Sequence, residues 1–175
     1  MNPHRAAWLV CCTFFLCGLL GWAAPAAGLH ISAPAFAPGS AIPAACALNG
    51  QNLSPELRID SVPANARSLA LIVDDPDAPA GLWTHWLVWN LPASTASLSA
   101  GKLPPGAVQG KNSFGRVRYD GPAPPSGTHR YFFHLYALDA SLSLPAGSNR
   151  AALLDAMQGH IVGTGETFGL YSASH

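Results

Sequence analysis

Three carboxylates lie close together where an apolar segment ends, in the stretch Asp74-Asp-Pro-Asp-Ala-Pro79. Its two prolines each fix a φ angle, so the backbone is stiff and holds its side chains in place. Carboxylates at this spacing repel one another, and we expect the pKa of at least one of them to be raised. The alternative is a solvated turn in which the aspartates only cap the backbone.

Two histidines and a tyrosine fall at predicted strand ends. His85 opens one strand, while His129 and Tyr131 begin another. Because His129 and Tyr131 are two residues apart, their side chains point to the same face of a sheet. His134 has the opposite parity and is predicted to be structural. With Asp75, the first three side chains suggest one polar pocket at an edge of the sheet, although a core role for His85 is the alternative.

Sequence motifs give little support to a phosphate-binding P-loop or to a nucleophilic serine. The segment Gly110–Arg118 carries Lys111 and Arg116 but lacks the glycine spacing and Lys-Ser/Thr ending of a P-loop, so a solvated loop is favoured. No GxSxG motif marks a nucleophilic serine.

A metal centre is also weakly indicated. Asp75, His85 and His129 are acceptable zinc ligands by type, but neither HExxH nor HxH spacing occurs. We therefore predict no metal, no cofactor and no catalytic residue.

Apolar runs bounded by turn residues predict the elements that must hold this pocket. The main predicted strands are Ser68–Val73, Thr84–Asn90 and Arg130–Leu138, and the shorter ones are Leu29–Ser32, Leu57–Asp60 and Thr167–Tyr171. One helix is predicted at Asn149–Gly159, because asparagine is a good N-cap and glycine a common end. Five to eight strands with one or two peripheral helices predict a mostly β fold, an antiparallel β-sandwich or barrel.

The composition excludes several classes of protein. Charged residues make up 10% of the 175 residues and apolar residues 49%, whereas long disordered chains are rich in charge and poor in apolar residues. Nine basic and nine acidic residues leave a formal net charge of zero, so a nucleic-acid partner is not expected.

Residues 1–27 have the pattern of a secretory signal peptide: a basic start, an apolar middle and a small-residue end. We expect cleavage after Ala26 or Ala27, which leaves residues 28–175 as one domain, periplasmic or secreted and without a stable membrane span. The alternative is an uncleaved anchor, but the apolar run is shorter than the ~20 residues of a spanning helix. Cleavage removes three of the four cysteines and leaves Cys46 without an internal partner.

Five stretches of the chain resemble the phosphatidylethanolamine-binding protein family, in particular its bacterial and archaeal branch, called Raf-kinase-inhibitor-like. They occur in the family's order and are Gly50–Pro55, Asp75–Pro79, Trp83–Trp86, Gly121–Pro125 and His129–Tyr131. The resemblance covers about residues 36–171.

The resemblance implies a small anion pocket at one end of an antiparallel β-fold. Its implied lining is Asp75, His85, His129 and Tyr131. The surrounding motif corresponds to Asp77, Pro79, Trp83 and Pro125, with the backbone N–H of Ala123 facing the anion. A cis peptide bond is implied at Ala78–Pro79. Many bacterial members have cysteine where this chain has Leu48 and Ala123, so no cysteine pairing is carried over.

Three functions compete at this point. The leading hypothesis is a non-enzymatic binding protein, monomeric or homodimeric, that holds phosphate, a phosphoryl head group or a carboxylate. The second is an interaction module that inhibits an envelope enzyme through the loop 91–113. The third is a weak hydrolase or transferase with His85 or His129 as base.

Overall fold

The computed structural model of the protein describes residues 28–173, so the predicted signal peptide lies outside the described residues. The strands are β1 (His30–Ser32), β2 (Leu57–Asp60), β3 (Ser68–Asp75), β4 (Trp83–Pro92), β5 (Ser97–Leu98), β6 (Val108–Gln109), β7 (Thr128–Leu138) and β8 (Ile161–Ser172). One α-helix, α1, spans Arg150–Met157, and a 3₁₀ turn spans Ala44–Cys46.

The strands form two sheets in which every neighbouring pair is antiparallel. The small sheet has the order β1-β2-β5 and the large sheet the order β6-β4-β3-β7-β8. The main apolar core contains residues of both sheets, including Ile31 and Ile59 from the small sheet and Leu71 and Phe133 from the large one. The predicted antiparallel β-sandwich with a peripheral helix is confirmed.

Strand β3 lies at the centre of the large sheet and is buried on both of its faces. Leu69 and Leu71 contribute to the core between the sheets, whereas Ala70 and Ile72 pack in a second cluster with Leu153 of α1. A strand covered on both faces needs apolar residues at every position, not at alternate ones. This is why the segment is a continuous apolar run in the sequence.

Helix α1 covers the outer face of the large sheet. The side chain of Asn149 accepts the N–H of Ala152 at 3.0 Å, which satisfies one of the free donors at the helix start. Leu153 and Met157 are fully buried against the sheet. Gly159 follows the helix with a φ of 77°, a conformation that favours glycine. The predicted cap and end are therefore confirmed.

Strand β8 is longer than the predicted Thr167–Tyr171 and begins at Ile161. Its first half contains Gly163 and Gly165, and glycine weakens the pattern by which a strand is recognised. These glycines permit a close approach. A Cβ atom on Gly165 would lie 2.5 Å from the carbonyl oxygen of Leu29. Strands β5 and β6 were not predicted, because two residues are too few to show a periodicity.

We expect Gly165→Ala to lower the free energy of unfolding by about 2 kcal/mol, because the new methyl group would force the Leu29 backbone away. Urea denaturation of the domain measures the change. Gly28→Ala is the control, since a Cβ atom there meets nothing within 4 Å. Equal stability of the two variants would contradict the close packing at Gly165.

Within residues 28–173, no helix has the length and apolar character needed to cross a membrane.

Candidate functional site

The candidate site is a cavity of about 230 Å³ at one end of the large sheet. Strand β3 runs antiparallel to both β4 and β7, so the end of β3 lies beside the beginnings of its two neighbours. Asp75, His85 and His129 come from these three strand ends and meet at the cavity. The complete lining is Asp75, Ala78, Pro79, Ala80, Trp83, His85, Phe114, Ala123, Pro125 and His129.

Asp75 and His129 form a buried pair at this cavity. The Nδ1 atom of His129 lies 2.8 Å from one Asp75 oxygen, and the other oxygen accepts the N–H of Asp77 at 2.8 Å. An ionised carboxylate only accepts hydrogen bonds, so Nδ1 of His129 donates and Nε2 is left for a ligand. Asp75 thus orients the imidazole ring.

His85 is held from behind by the backbone. Its Nδ1 atom lies 2.7 Å from the carbonyl oxygen of Asp120, and a carbonyl only accepts, so Nδ1 carries the hydrogen. Burial lowers the pKa of His85, although the Asp120 carbonyl and the Asp75 charge act in the opposite direction. The ring is therefore neutral at pH 7, with the Nε2 lone pair available to a ligand.

Tyr131 lies behind the cavity wall and is 1% exposed. Its ring meets that of His85 edge to face, with 5.1 Å between the centroids. Its hydroxyl lies near the Asp75 side chain and the Ala123 backbone but makes no hydrogen bond of good geometry among the described residues. Burial, followed by the charge of Asp75, raises the pKa of Tyr131, which keeps the hydroxyl protonated as a donor.

Each of the three clustered carboxylates has its own hydrogen-bond partners. Asp77 points away from the cavity to Arg130, with oxygen and nitrogen 2.6 Å apart, and this hydrogen bond lowers its pKa to about 2. Asp74 is buried and accepts bonds from Thr84 at 2.7 Å and Arg150 at 2.9 Å. For Asp77, the pKa shift is opposite in sign to the one that repulsion would cause.

The Ala78–Pro79 bond is trans, as are all the peptide bonds of the described segment, so the cis bond implied by the resemblance is wrong. The chain reverses here by a turn in which the N–H of Gly81 donates to the Ala78 carbonyl at 2.9 Å. Gly81 has a φ of 91°, so the residue of this turn that adopts a positive φ is a glycine, which tolerates it.

The other walls of the cavity are apolar. Pro79, Trp83, Ala123 and Pro125 line it, at positions that the resemblance implied. Phe114 was not anticipated. Its ring centroid lies 5.4 Å from those of both Trp83 and His85. Aromatic pairs at this distance pack favourably, so Phe114 helps to hold both rings at the cavity.

A further group that the sequence analysis missed lies behind His85. The Asp120 carboxylate is fully buried and accepts hydrogen bonds from Asn52, Asn112, Arg116 and Arg118 at 2.7 to 3.1 Å. Burial opposes its ionisation, but the hydrogen bonds outweigh burial and lower the pKa of Asp120. The Gly110–Arg118 segment, interpreted from the sequence as a solvated loop, is therefore anchored to a buried charge. The clue in the sequence was that Arg116 and Arg118 lie four and two residues before Asp120.

Two further observations concern metals and thiols. No three His, Cys, Asp or Glu side chains of the described segment are grouped as a metal ligand set would be. Cys46 is a buried free thiol, and burial raises its pKa.

Comparison with known proteins identifies the family. The model of the phosphatidylethanolamine-binding protein family matches residues 32–172. A UPF0098 protein from Methanothermobacter thermautotrophicus is 47% identical over 148 residues, which cover 82% of this chain and 98% of that protein.

Two solved structures share the fold and sequence similarity. CT736 from Chlamydia trachomatis, a phosphatidylethanolamine-binding protein homologue, superposes with a TM-score of 0.81 at 41% identity, covering 84% of this chain and 99% of its own. YbcL of E. coli gives a TM-score of 0.79 at 30% identity, covering 85% and 100%. The chain therefore belongs to the phosphatidylethanolamine-binding protein family.

Proposed function

We propose that the protein is an exported, non-enzymatic binding protein that holds a small anion in this cavity. The ligand is phosphate, a phosphoryl head group or a carboxylate. The observation that carries the proposal is the convergence of His85 and His129 on one small cavity whose remaining walls are largely apolar. A buried tyrosine hydroxyl that makes no hydrogen bond of good geometry among the described residues adjoins them.

The chemistry of the site supports an anion more than a cation or an apolar ligand. An imidazole that takes up a proton also donates from Nε2, and together with a phenol hydroxyl it binds the oxygens of phosphate or carboxylate by charge-assisted hydrogen bonds. Both oxygens of the Asp75 carboxylate accept hydrogen bonds from Asp77 and His129, and its negative charge favours the imidazolium form of His85 that donates to an anion. Apolar walls exclude water and strengthen each of these hydrogen bonds.

The direct test is calorimetric titration of residues 28–175 with inorganic phosphate and with phosphoethanolamine, followed by NMR to map the shifted resonances. We expect saturable binding, with the largest shifts at His85 and His129. Absence of binding by both ligands, or shifts confined to another surface, would refute the proposed site.

We expect phosphate affinity to increase as the pH falls from 8 towards 6, by up to about tenfold per pH unit. Burial lowers the pKa of His85 in the free protein, and a bound anion would raise it again by stabilising the imidazolium. Binding therefore takes up a proton, and by linkage a lower pH favours it. Calorimetry at several pH values measures the effect.

Phosphate itself titrates near pH 7, so sulfate is the control, because its charge is constant over this range. Strengthening of sulfate binding at lower pH reports the protein's own protonation. Affinities that stay flat between pH 5 and 8 for both anions would contradict the histidine mechanism.

Export is tested separately by the mass of the mature protein. Cleavage after Ala26 or Ala27 is expected, and an intact N-terminus in a membrane fraction would support the anchor instead.

A further inference from the structure

We propose that a second cavity of the protein binds an organic monocarboxylate that carries an apolar group. This second cavity has a volume of about 350 Å³, within the range of about 300–1,000 Å³ that is usual for small-molecule sites. It shares no lining residue with the cavity of His85 and His129, which we call the anion cavity. The inference therefore goes beyond the proposed function and does not depend on it.

Arg118 brings a positive charge to the wall of the second cavity. Its Nε atom donates to one oxygen of the Asp120 carboxylate at 3.1 Å, and Arg116 binds the other oxygen at 2.8 Å. Two guanidinium groups therefore share one negative charge, and one positive charge is left over. The Arg118 side chain is 54% exposed, so the outer amino groups of its guanidinium are available to an anion.

Gln109 lines the same cavity and offers it amide hydrogens. The indole nitrogen of Trp86 lies 2.8 Å from Oε1 of Gln109. Because an indole N–H only donates, the amide must turn its oxygen to Trp86, which leaves the NH2 group for a ligand. The Trp86 ring packs edge to face on Tyr119, with 5.5 Å between the centroids. The orientation of the Gln109 amide is therefore set by a well-packed ring.

Ser54 adds a hydroxyl group to this wall. The residue is 3% exposed, and its Oγ atom accepts the N–H of Gly101 at 3.1 Å. A hydroxyl that accepts one hydrogen bond keeps its own hydrogen to donate. Ser54, Gln109 and Arg118 thus all offer hydrogens, which suits an anion with acceptor oxygens and not a cation. Since each of them is held by a neighbour, a ligand loses less entropy in ordering them.

Two leucines of the cavity indicate that the anion carries an apolar group. Leu53 is 42% exposed, and Leu103 is partly buried. Leu53 packs against Gly101, where a Cβ atom would lie 2.8 Å from Cδ2 of the leucine. A hydrocarbon chain across Leu53 and Leu103 would remove their apolar surface from water. The single charge of a carboxylate matches the one unpaired guanidinium charge, and its two oxygens match the guanidinium fork.

The test is calorimetric titration of residues 28–175 with hexanoate, followed by NMR. Hexanamide has the same chain without the charge, and acetate has the charge without the chain. We expect hexanoate to bind at least about tenfold more tightly than either control, since each lacks one of the two contacts. In the NMR spectra, the side-chain NH2 of Gln109 and the indole N–H of Trp86 are expected to shift most, while His85 and His129 stay unchanged.

Two variants alter opposite sides of the second cavity. Arg118→Gln removes the charge and should weaken hexanoate binding by at least about tenfold. Gln109→Glu keeps an oxygen for Trp86 but replaces the NH2 donor with a negatively charged oxygen, so binding should fall below detection. The matched controls, Arg67→Gln and Gln158→Glu, make the same changes at exposed positions outside the cavity. Both controls should bind hexanoate as the parent does.

A free organic acid and the carboxyl end of a peptide share this chemistry, and N-acetyl-leucine distinguishes them. If it binds more tightly than hexanoate and Gln109→Glu abolishes its binding, the site is supported and its ligand is a peptide end. Weaker binding than hexanoate supports the site with a free acid as its ligand.

The outcomes separate this inference from the proposed function. Hexanoate binding that is lost in His129→Ala, or that shifts His85 and His129, would place hexanoate in the anion cavity and overturn the inference. Equal affinities for hexanoate and hexanamide, or unchanged binding in Gln109→Glu, would overturn it as well. Phosphate binding without hexanoate binding would overturn this inference alone. Hexanoate binding at Gln109 without phosphate binding would support it and overturn the proposed function.

Discussion

Asp120→Ala is expected to lower the free energy of unfolding by about 3 kcal/mol, because it leaves buried donors without an acceptor. The Asn112 amide loses a 2.7 Å hydrogen bond and the Asn52 amide one of 3.1 Å. Arg116 and Arg118 are 41% and 54% exposed, so water partly replaces the lost carboxylate for them. The cost therefore arises chiefly from the two asparagines.

Urea denaturation with a common m-value measures this change. The matched control is Asp139→Ala, which removes an exposed carboxylate paired with His160 at 2.8 Å. Such a surface pair is worth less than about 1 kcal/mol. Asp120→Asn keeps the volume but loses the charge and should lie between the two. A loss below 1 kcal/mol in Asp120→Ala would show that the network does not anchor the loop.

His129→Ala is expected to weaken phosphate binding by about 10- to 100-fold, because hydrogen bonds to charged groups contribute about 1.5–3 kcal/mol. The ring lines the cavity and is only 7% exposed. Its removal deletes the Nε2 contact and also leaves one oxygen of Asp75 without its donor. Calorimetry at pH 6.5 measures the loss.

Two variants separate binding from folding. His129→Asn can retain a donor to Asp75 but lacks the outer ring nitrogen, so it should remain folded and still lose affinity. His134→Ala, on the same strand but the opposite face and next to Glu166, should bind phosphate as the parent does. If His129→Ala binds as tightly as the parent, the ligand does not occupy this cavity.

Local patterns in the sequence were sufficient for much of the scaffold. The apolar run of β3 predicted a strand, and the asparagine cap and terminal glycine predicted α1. The first half of β8 was missed, because the glycines that permit contact with Leu29 remove the usual β-forming residues. A contact between distant segments cannot be read from the residues of one of them.

The candidate site, like the scaffold, was predicted only in part from the sequence. Strand parity placed His129 and Tyr131 on one face and His134 on the other, because side chains alternate along any strand. The resemblance suggested that these groups share a pocket with Asp75 and His85. Their convergence in the structure depends on the antiparallel pairing of β3 with β4 and β7.

By itself, the sequence determined the longer strands, the helix and the faces of His129, Tyr131 and His134, since these follow from backbone geometry within a few residues. Only the tertiary structure decided that Asp77 turns outward to Arg130 and that Asp120 lies under His85. These partners are 53 and 35 residues apart in the chain. The tautomer of His85 is likewise set by the backbone carbonyl of Asp120, a group that no sequence pattern marks.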